Sequence, residues 1–339
     1  MTPSARLGGF KILKDVVRIS VFSSEASTHF PAHFCRIIAE NEINLPYFTS
    51  VTDGQSWGLN IVVEAIDEAR LLRLIKKRDR LVFPHDSRSA VLSIFPHKRN
   101  PEIPGKLFEA LSNEGLDPEA LANSPSAISV VLKQEFVNRA SDALFEPFNF
   151  GAYRTPADWK LAQEGKEQLY KEVVASYQEQ KPKVYGLEVY DEQELLQMKI
   201  TKGKMGDLGA SFREFARLGL NLTFLVSGPC RDQGEEVLAF TLPTTQGQAY
   251  TRIINRIAPD IDAGRISPVC VFSMNGPHFG DRYGIASELL TTFENRDIEL
   301  LGLSCTIASV TGVVPSRQLQ KTIEAIQQCF EVPSVARRE

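Results

Sequence analysis

Cysteine, long apolar runs and clustered charge of one sign are all scarce in this chain of 339 residues. The five cysteines, Cys35, Cys230, Cys270, Cys305 and Cys329, are scattered and odd in number. They form no Cys-x-x-Cys, which excludes a disulfide framework and a zinc-ribbon type of site. Cys270 and Cys305 stand in apolar, strand-like runs and read as buried, inert thiols. No apolar run approaches the roughly 20 residues that cross a bilayer, and the first ten residues lack the apolar core of a signal peptide. The chain therefore reads as cytoplasmic, without a membrane partner. Net charge is -4, and neither Lys nor Arg gathers into a stripe, which argues against a nucleic-acid surface.

Signatures of chemistry are scarce as well. Gly276, Gly280 and Gly284 are not spaced as a dinucleotide fingerprint or a phosphate loop. No Gly-x-Ser-x-Gly and no paired carboxylates in a recognisable motif occur. His29 and His33 have the four-residue spacing of zinc ligands, but a site needs three or four ligands and no further one is evident. No metal, no cofactor and no catalytic residue is expected from these patterns.

What is present is a repeat. Four times a short strand rich in Val, Ile and Phe leads through a turn-rich loop into an amphipathic helix, then two strands, then a second helix. The first copy opens with Val17–Phe22 and has a helix bearing Phe30, Phe34, Ile37 and Ile38. The second opens with Ala90–Phe95, the third with Leu195–Ile200 and the fourth with Val269–Ser273. Between the second and third copies, Thr155-Pro-Ala-Asp158 predicts a helix start, with Trp159, Leu169, Val173 and Tyr177 at helical spacing up to Lys181-Pro182. The order βαββα, closed by a final strand, is that of a ferredoxin-like two-layer sandwich. The expected fold class is α+β: four such modules in two tandem pairs joined by a helix. Their bounds are 10–86, 87–150, 183–265 and 266–335, with the connecting helix at 151–182.

Two stretches give the repeat a family likeness. Tyr185-Gly-Leu-Glu-Val-Tyr-Asp191 followed by Leu195–Ile200 is similar to the Gly-x-Ala-Tyr-Asp strand and its successor in the paired regulatory ACT domains of aspartokinases. Asp281-Arg-Tyr-Gly-Ile-Ala286, continuing through Asp297–Ser304 to Val313-Val314, resembles that family's effector loop, strand and hairpin. Gly115–Ser124 into Ile128–Leu132 and Glu42-Ile-Asn-Leu45 follow the same template. The kinase domain's Lys-Phe-Gly-Gly-Thr-Ser type of motif is absent, since Gly8-Gly9-Phe10 has the order reversed. The resemblance thus implies regulatory modules without the kinase, and no enzyme activity.

An amino acid presents a carboxylate, which suits a Gly-ended loop opening a helix, where free N–H groups and the helix dipole favour an anion. In the resembled family, effectors bind at such loops between adjacent ACT domains. By that resemblance the fourth loop supplies Asp281, Arg282, Gly284 and Ile285. Asp281 then accepts from an ammonium, or alternatively only caps the helix. The third loop supplies Met205, Gly206 and Asp207, with Gly203 where the family has an acid. Asn221 matches the family's strand Asn, and Ser227 falls where a ligand-binding Gln is expected. Glu299 replaces a ligand-contacting Asn, and Asn44 of the first copy matches Asn221. Ser27, Thr28 and His29 occupy the first loop, and Pro104-Gly105 the second, displaced. The implied function is a non-catalytic amino-acid sensor, a homodimer that passes its state to a partner such as an enzyme of amino-acid biosynthesis. The alternatives are a dimerisation scaffold with decayed sites and a regulatory subunit of a separate aspartokinase-like enzyme.

Overall fold

A computed structural model describes residues 5–24, 30–52, 56–75, 81–84, 88–96, 98–151, 155–163, 181–201, 203–231, 235–257, 264–276, 279, 282–307 and 309–338. After a short strand, Ala5–Leu7 (β1), the first unit comprises Gly9–Ser23 (β2), Phe30–Glu40 (α1), Tyr47–Thr52 (β3), Trp57–Glu64 (β4), Glu68–Ile75 (α2) and Leu81–Pro84 (β5). The second comprises Ser89–Phe95 (β6), Glu102–Asn113 (α3), Ala120–Asn123 (β7), Ile128–Lys133 (β8) and Val137–Ala143 (α4), followed by Phe148–Phe150 (β9) and Pro156–Gln163 (α5). The third comprises Gly186–Thr201 (β10), Met205–Arg217 (α6), Leu225–Pro229 (β11), Glu235–Pro243 (β12) and Gly247–Ile257 (α7). The fourth comprises Gly264–Asn275 (β13), Ile285–Asn295 (α8), Gly302–Thr306 (β14), Ser309–Pro315 (β15), Leu319–Cys329 (α9) and Val335–Arg338 (β16).

Fourteen strands form one sheet in the order β12-β11-β7-β8-β6-β2-β4-β3-β14-β15-β13-β10-β16, with β5 branching from β2. Because β12 also pairs with β10, the sheet closes on itself. Two strands make this closure possible. β2 pairs with β6 through Gly9–Leu13 and with β4 through Val16–Ser23. β10 pairs with β13 from Gly186 and with β12 from Gln193. Each strand is bent at an irregularity where one residue adopts positive φ, Asp15 at 57° and Glu192 at 54°. A bulge of this kind increases local twist and re-aims the strand, so one strand serves two units. The sequence shows only the second half of β2 as a strand, and β10 as two successive strands, since Lys14–Asp15 and Asp191–Glu192 break the apolar runs.

The sheet joins chain-adjacent units through β2–β6 and β10–β13, and it adds two further seams between units distant in the chain. The first unit joins the fourth through β3 and β14, with five registered residue pairs from Gly302↔Val51 to Thr306↔Tyr47. The second joins the third through β7 and β11, with only Leu225↔Asn123 and Val226↔Ala122. The physical reason is that the chain-adjacent units already share β2 or β10, which leaves their other edges to meet across the molecule. The helices cover the outside of the ring in two layers. Phe30, Phe34, Cys35 and Ile38 of α1 share one core with Ile285, Leu289 and Phe293 of α8. Leu107, Phe108 and Leu111 of α3 share another with Leu208, Phe212 and Phe215 of α6. Val51, Tyr190, Phe224, Val226, Val271 and Val313 fill part of the space between the facing strands.

α5 begins as its sequence predicts. The Thr155 amide donates to Asp158 at 3.0 Å and the Asp158 amide donates to the Thr155 hydroxyl at 3.2 Å, a reciprocal cap. Trp159 stacks on Phe10 with ring centroids 4.6 Å apart. Leu169, Val173 and Tyr177 lie outside the described residues.

Candidate functional site

The two helix pairs pack differently, and the difference places the site. Where α3 crosses α6 the backbones touch. A Cβ on Gly105 would lie 2.9 Å from the Gly209 carbonyl oxygen, and one on Gly209 would lie 2.7 Å from that of Gly105. Arg213 donates to Glu109 at 2.8 Å across the same crossing. Gly105, an expected loop residue of the second copy, is therefore a packing residue inside α3.

Between α1 and α8 a pocket remains. Its walls are Cys35, Ile38 and Ala39 of α1, then Ile43 and Leu45, with Phe279, Arg282, Gly284, Ile285, Ala286 and Ser287 opposite and Cys305 and Val310 at the base. The free volume is about 20 Å³, room for one water, since a single water needs about 10–15 Å³ measured this way. An amino acid enters only if the helices or the loop before α8 move apart.

The chemistry of the pocket is that of an anion seat in apolar walls. Gly284 precedes α8 at φ 89°, in the left-handed region that glycine adopts without strain. The N-cap residue, Gly284, has no side chain to cap the helix, and the first amides of a helix have no partner within it. The Glu288 amide is the first to return, donating to the Gly284 carbonyl at 2.8 Å. The half-positive helix end and Arg282 thus face the same space. Arg282 donates to Glu288 at 3.1 Å, and its side chain keeps 17% of its exposure. Burial pushes the Glu288 carboxyl above its ordinary pKa, while the Arg282 guanidinium opposes that shift. Arg36 of α1 donates to Glu294 of α8 at 2.7 Å and ties the helices at the rim. Burial also raises the thiol pKa of both Cys35 and Cys305, and at Cys35 the neighbouring Cys305 adds to the rise.

Of the residues singled out by sequence, Arg282, Gly284 and Ile285 meet in this pocket. Asp281 lies outside the described residues, as do Ser27, Thr28 and His29. Asn44 stands between the wall residues Ile43 and Leu45 and is partly buried. The others sit elsewhere. Glu299 accepts from Arg317 at 2.6 Å, while its amide donates to Gln318. Met205, Gly206 and Asp207 open α6; Met205 is buried, Gly206 lies against Ser112 of α3, and Asp207 is exposed beside Lys204 at 3.2 Å. Asn221 is partly buried ahead of β11. Ser227 is wholly buried, its hydroxyl accepting from the Leu121 amide at 3.0 Å. The wall from the first unit, Cys35, Ile38, Ala39, Ile43 and Leu45, was not singled out. Its apolar periodicity reads as core, and only the pairing of unit one with unit four turns it toward a pocket. Among the described residues no three of His, Cys, Asp and Glu gather as a metal site, and no helix is long and apolar enough to cross a membrane.

No family model matches the chain, and no curated protein matches it. Solved structures do. An aspartate kinase from Synechocystis superposes on 96% of this chain with a TM-score of 0.79 at 14% identity. This chain has an aspartate-kinase-related fold. It spans 56% of the Synechocystis chain. Weaker likenesses include the ligand-free regulatory subunit of aspartate kinase from Thermus thermophilus, with a TM-score of 0.38, 13% identity, and 43% of this chain and 98% of that one covered. Another is E. coli aspartokinase III in complex with aspartate and ADP, with a TM-score of 0.34, 13% identity, and 45% and 35% covered.

The Synechocystis match corrects five expectations. The likeness runs over nearly the whole chain to a protein named as an aspartate kinase. The reading of the chain as a kinase-free ACT protein is withdrawn on that ground. So are the non-catalytic sensor, the decayed scaffold, the subunit beside a separate kinase, and the statement that the chain is no enzyme. Those readings leaned on a missing Lys-Phe-Gly-Gly-Thr-Ser type of motif. At 14% identity a backbone course persists where side-chain motifs have drifted, so an absent motif carries little weight.

Proposed function

We propose that this chain works as part of an aspartate-kinase-like enzyme and holds a small amino acid in the cleft between α1 and α8. The observation that carries this reading is the pocket itself, in which a glycine-opened helix N-terminus and Arg282 face one apolar-walled space. The ligand's carboxylate sits on the amides that open α8, with Arg282 beside it, and its side chain lies against Ile38, Ile43, Leu45 and Val310. The four units act as ACT-type modules whose pairs cross the molecule, one with four and two with three. Binding widens the cleft, and the energy available to shift the enzyme is limited to the ligand's differential affinity for the two arrangements. A homodimer belongs to the same reading and is checked by sedimentation.

The test has two arms. ADP release is followed with ATP and aspartate present, with and without each of the twenty amino acids at millimolar concentration, and melting temperature is followed in parallel. Aspartate-dependent release that one amino acid alters, together with stabilisation by the same amino acid, is the expected result. No release under any condition sinks the enzymatic part. No stabilisation by any amino acid sinks the cleft.

A further inference from the structure

The cleft lies on the outside of the ring, yet one of its seams is tied to the opposite pair of units through a buried polar circuit. Phe48 of β3 stands opposite Cys305 at the pocket base, and the next residue, Thr49, turns inward. The Thr49 hydroxyl donates to the carbonyl oxygen of Ser227 in the third unit at 3.0 Å. The Asn60 amide, from β4 of the first unit, donates to that same carbonyl at 3.0 Å. The Asn60 side-chain oxygen in turn accepts from Ser20 at 2.7 Å and from Arg18 at 3.1 Å. Arg18 approaches Glu119 of the second unit at 3.8 Å. Glu119 directly precedes β7, and two residues on, the Leu121 amide donates to the Ser227 hydroxyl at 3.0 Å. The circuit closes on itself: Ser227, Asn60, Arg18, Glu119, Leu121 and back to Ser227. It joins three units, and every one of its side chains is buried.

The packing around the circuit has no slack. A Cβ on Gly58 would lie 2.3 Å from the Pro229 carbonyl oxygen, and one on Gly228 would lie 2.3 Å from the Val51 side chain. A Cβ on Gly302, in the β14 seam, would meet the Phe224 ring at 2.9 Å. Bare backbone of the first and fourth units therefore rests against the third. The β7–β11 seam is also the short one, with two registered pairs, and the Ser227 hydroxyl supplies the partner that a longer ladder would give Leu121. Such a seam yields more readily than the five-pair seam beside the cleft.

We propose that Ser227 is the coupling point between the two helix pairs: a shift of the β3–β14 seam is carried through Thr49 and Asn60 to the Ser227 carbonyl and opens or tightens the β7–β11 seam. This assigns Ser227 a positioning role, and it holds whatever the cleft binds. Amide hydrogen exchange tests it on the full chain. Ile38→Val loosens the cleft wall and quickens exchange in β3 and, by coupling, at the Leu121 amide, each by about tenfold. In a Thr49→Val, Asn60→Ala background the same Ile38→Val change still quickens β3 but leaves Leu121 within about twofold of its rate. Thr49→Ser with Asn60 intact restores the response. A Leu121 amide that follows Ile38→Val equally in both backgrounds overturns the proposal, since the strands would then carry the coupling unaided. Should the double variant not fold, Thr49→Val alone is the comparison, with a partial loss of the Leu121 response expected and an unchanged response contradicting.

Discussion

At the scale of single residues, the thiols and one buried ion pair give the sharpest expectations. Burial pushes Cys270 up to about 12 and Cys329 up to about 11, and raises Cys35 and Cys305 as well. The thiolate is the reactive form, so at pH 8 these four are expected to resist alkylation in the folded chain and to label after denaturation. Mass-spectrometric mapping checks this. Rapid native labelling of Cys35 or Cys305 would mean that the cleft stands open without ligand. Arg18 and Glu119 are 6% and 7% exposed, and removing one partner of such a pair leaves a buried charge. Glu119→Ala should therefore cost about 3–5 kcal/mol in denaturant unfolding, and a cost under about 1 kcal/mol, the range of surface pairs, would contradict that placement. Burial raises Glu288 as it raises the thiols. Its folded pKa is raised, so its stabilising contribution is full below 4.5 and is lost as pH rises through the folded value. Glu288→Gln should flatten the pH dependence of stability just above 4.5, and an unchanged profile would deny the half-buried carboxyl that role.

At the scale of elements, two glycines, Gly105 and Gly209, set how closely α3 and α6 approach. Gly209 lies in α6, where alanine is favoured over glycine by about 1 kcal/mol. Gly209→Ala is nonetheless expected to destabilise by about 1–3 kcal/mol, because its methyl group meets the Gly105 carbonyl and the helices must separate. A stabilised variant, measured by denaturant titration, would mean that α3 and α6 are not in backbone contact. The helices were legible from apolar periodicity: of the face expected for α1, Phe30, Phe34 and Ile38 enter the core and Ile37 stays half-buried. Strand starts were less so. The run Asn221–Val226 reads as a strand, yet the strand begins at Leu225, because the Leu222 amide turns aside to the Arg99 carbonyl at 2.9 Å. Glu299–Ser304 likewise begins pairing in the sheet only at Gly302.

At the scale of the whole molecule, the sequence shows four repeats but not their partners. Which edges meet depends on the double-length strands β2 and β10, and their bulges at Asp15 and Glu192 look in sequence like strand ends. For the same reason the sequence groups Arg282, Gly284 and Ile285, which line one side of the pocket, but not the facing wall from α1. Ser227 looked like a worn ligand residue and is a structural junction. Repeat periodicity reports units, while the pocket is formed between units distant in the chain.

The central claim is that the α1–α8 cleft takes an amino acid by its carboxylate. The most direct measurement is calorimetric titration of each amino acid into the full chain, alongside Arg282→Ala. One amino acid is expected to bind, stabilising the fold by roughly 2.7 kcal/mol at a hundred times Kd. Arg282→Ala is expected to weaken it by about 10- to 100-fold, as fits the loss of a charged hydrogen bond. Binding that Arg282→Ala leaves untouched, or a panel that is silent throughout, would contradict the account.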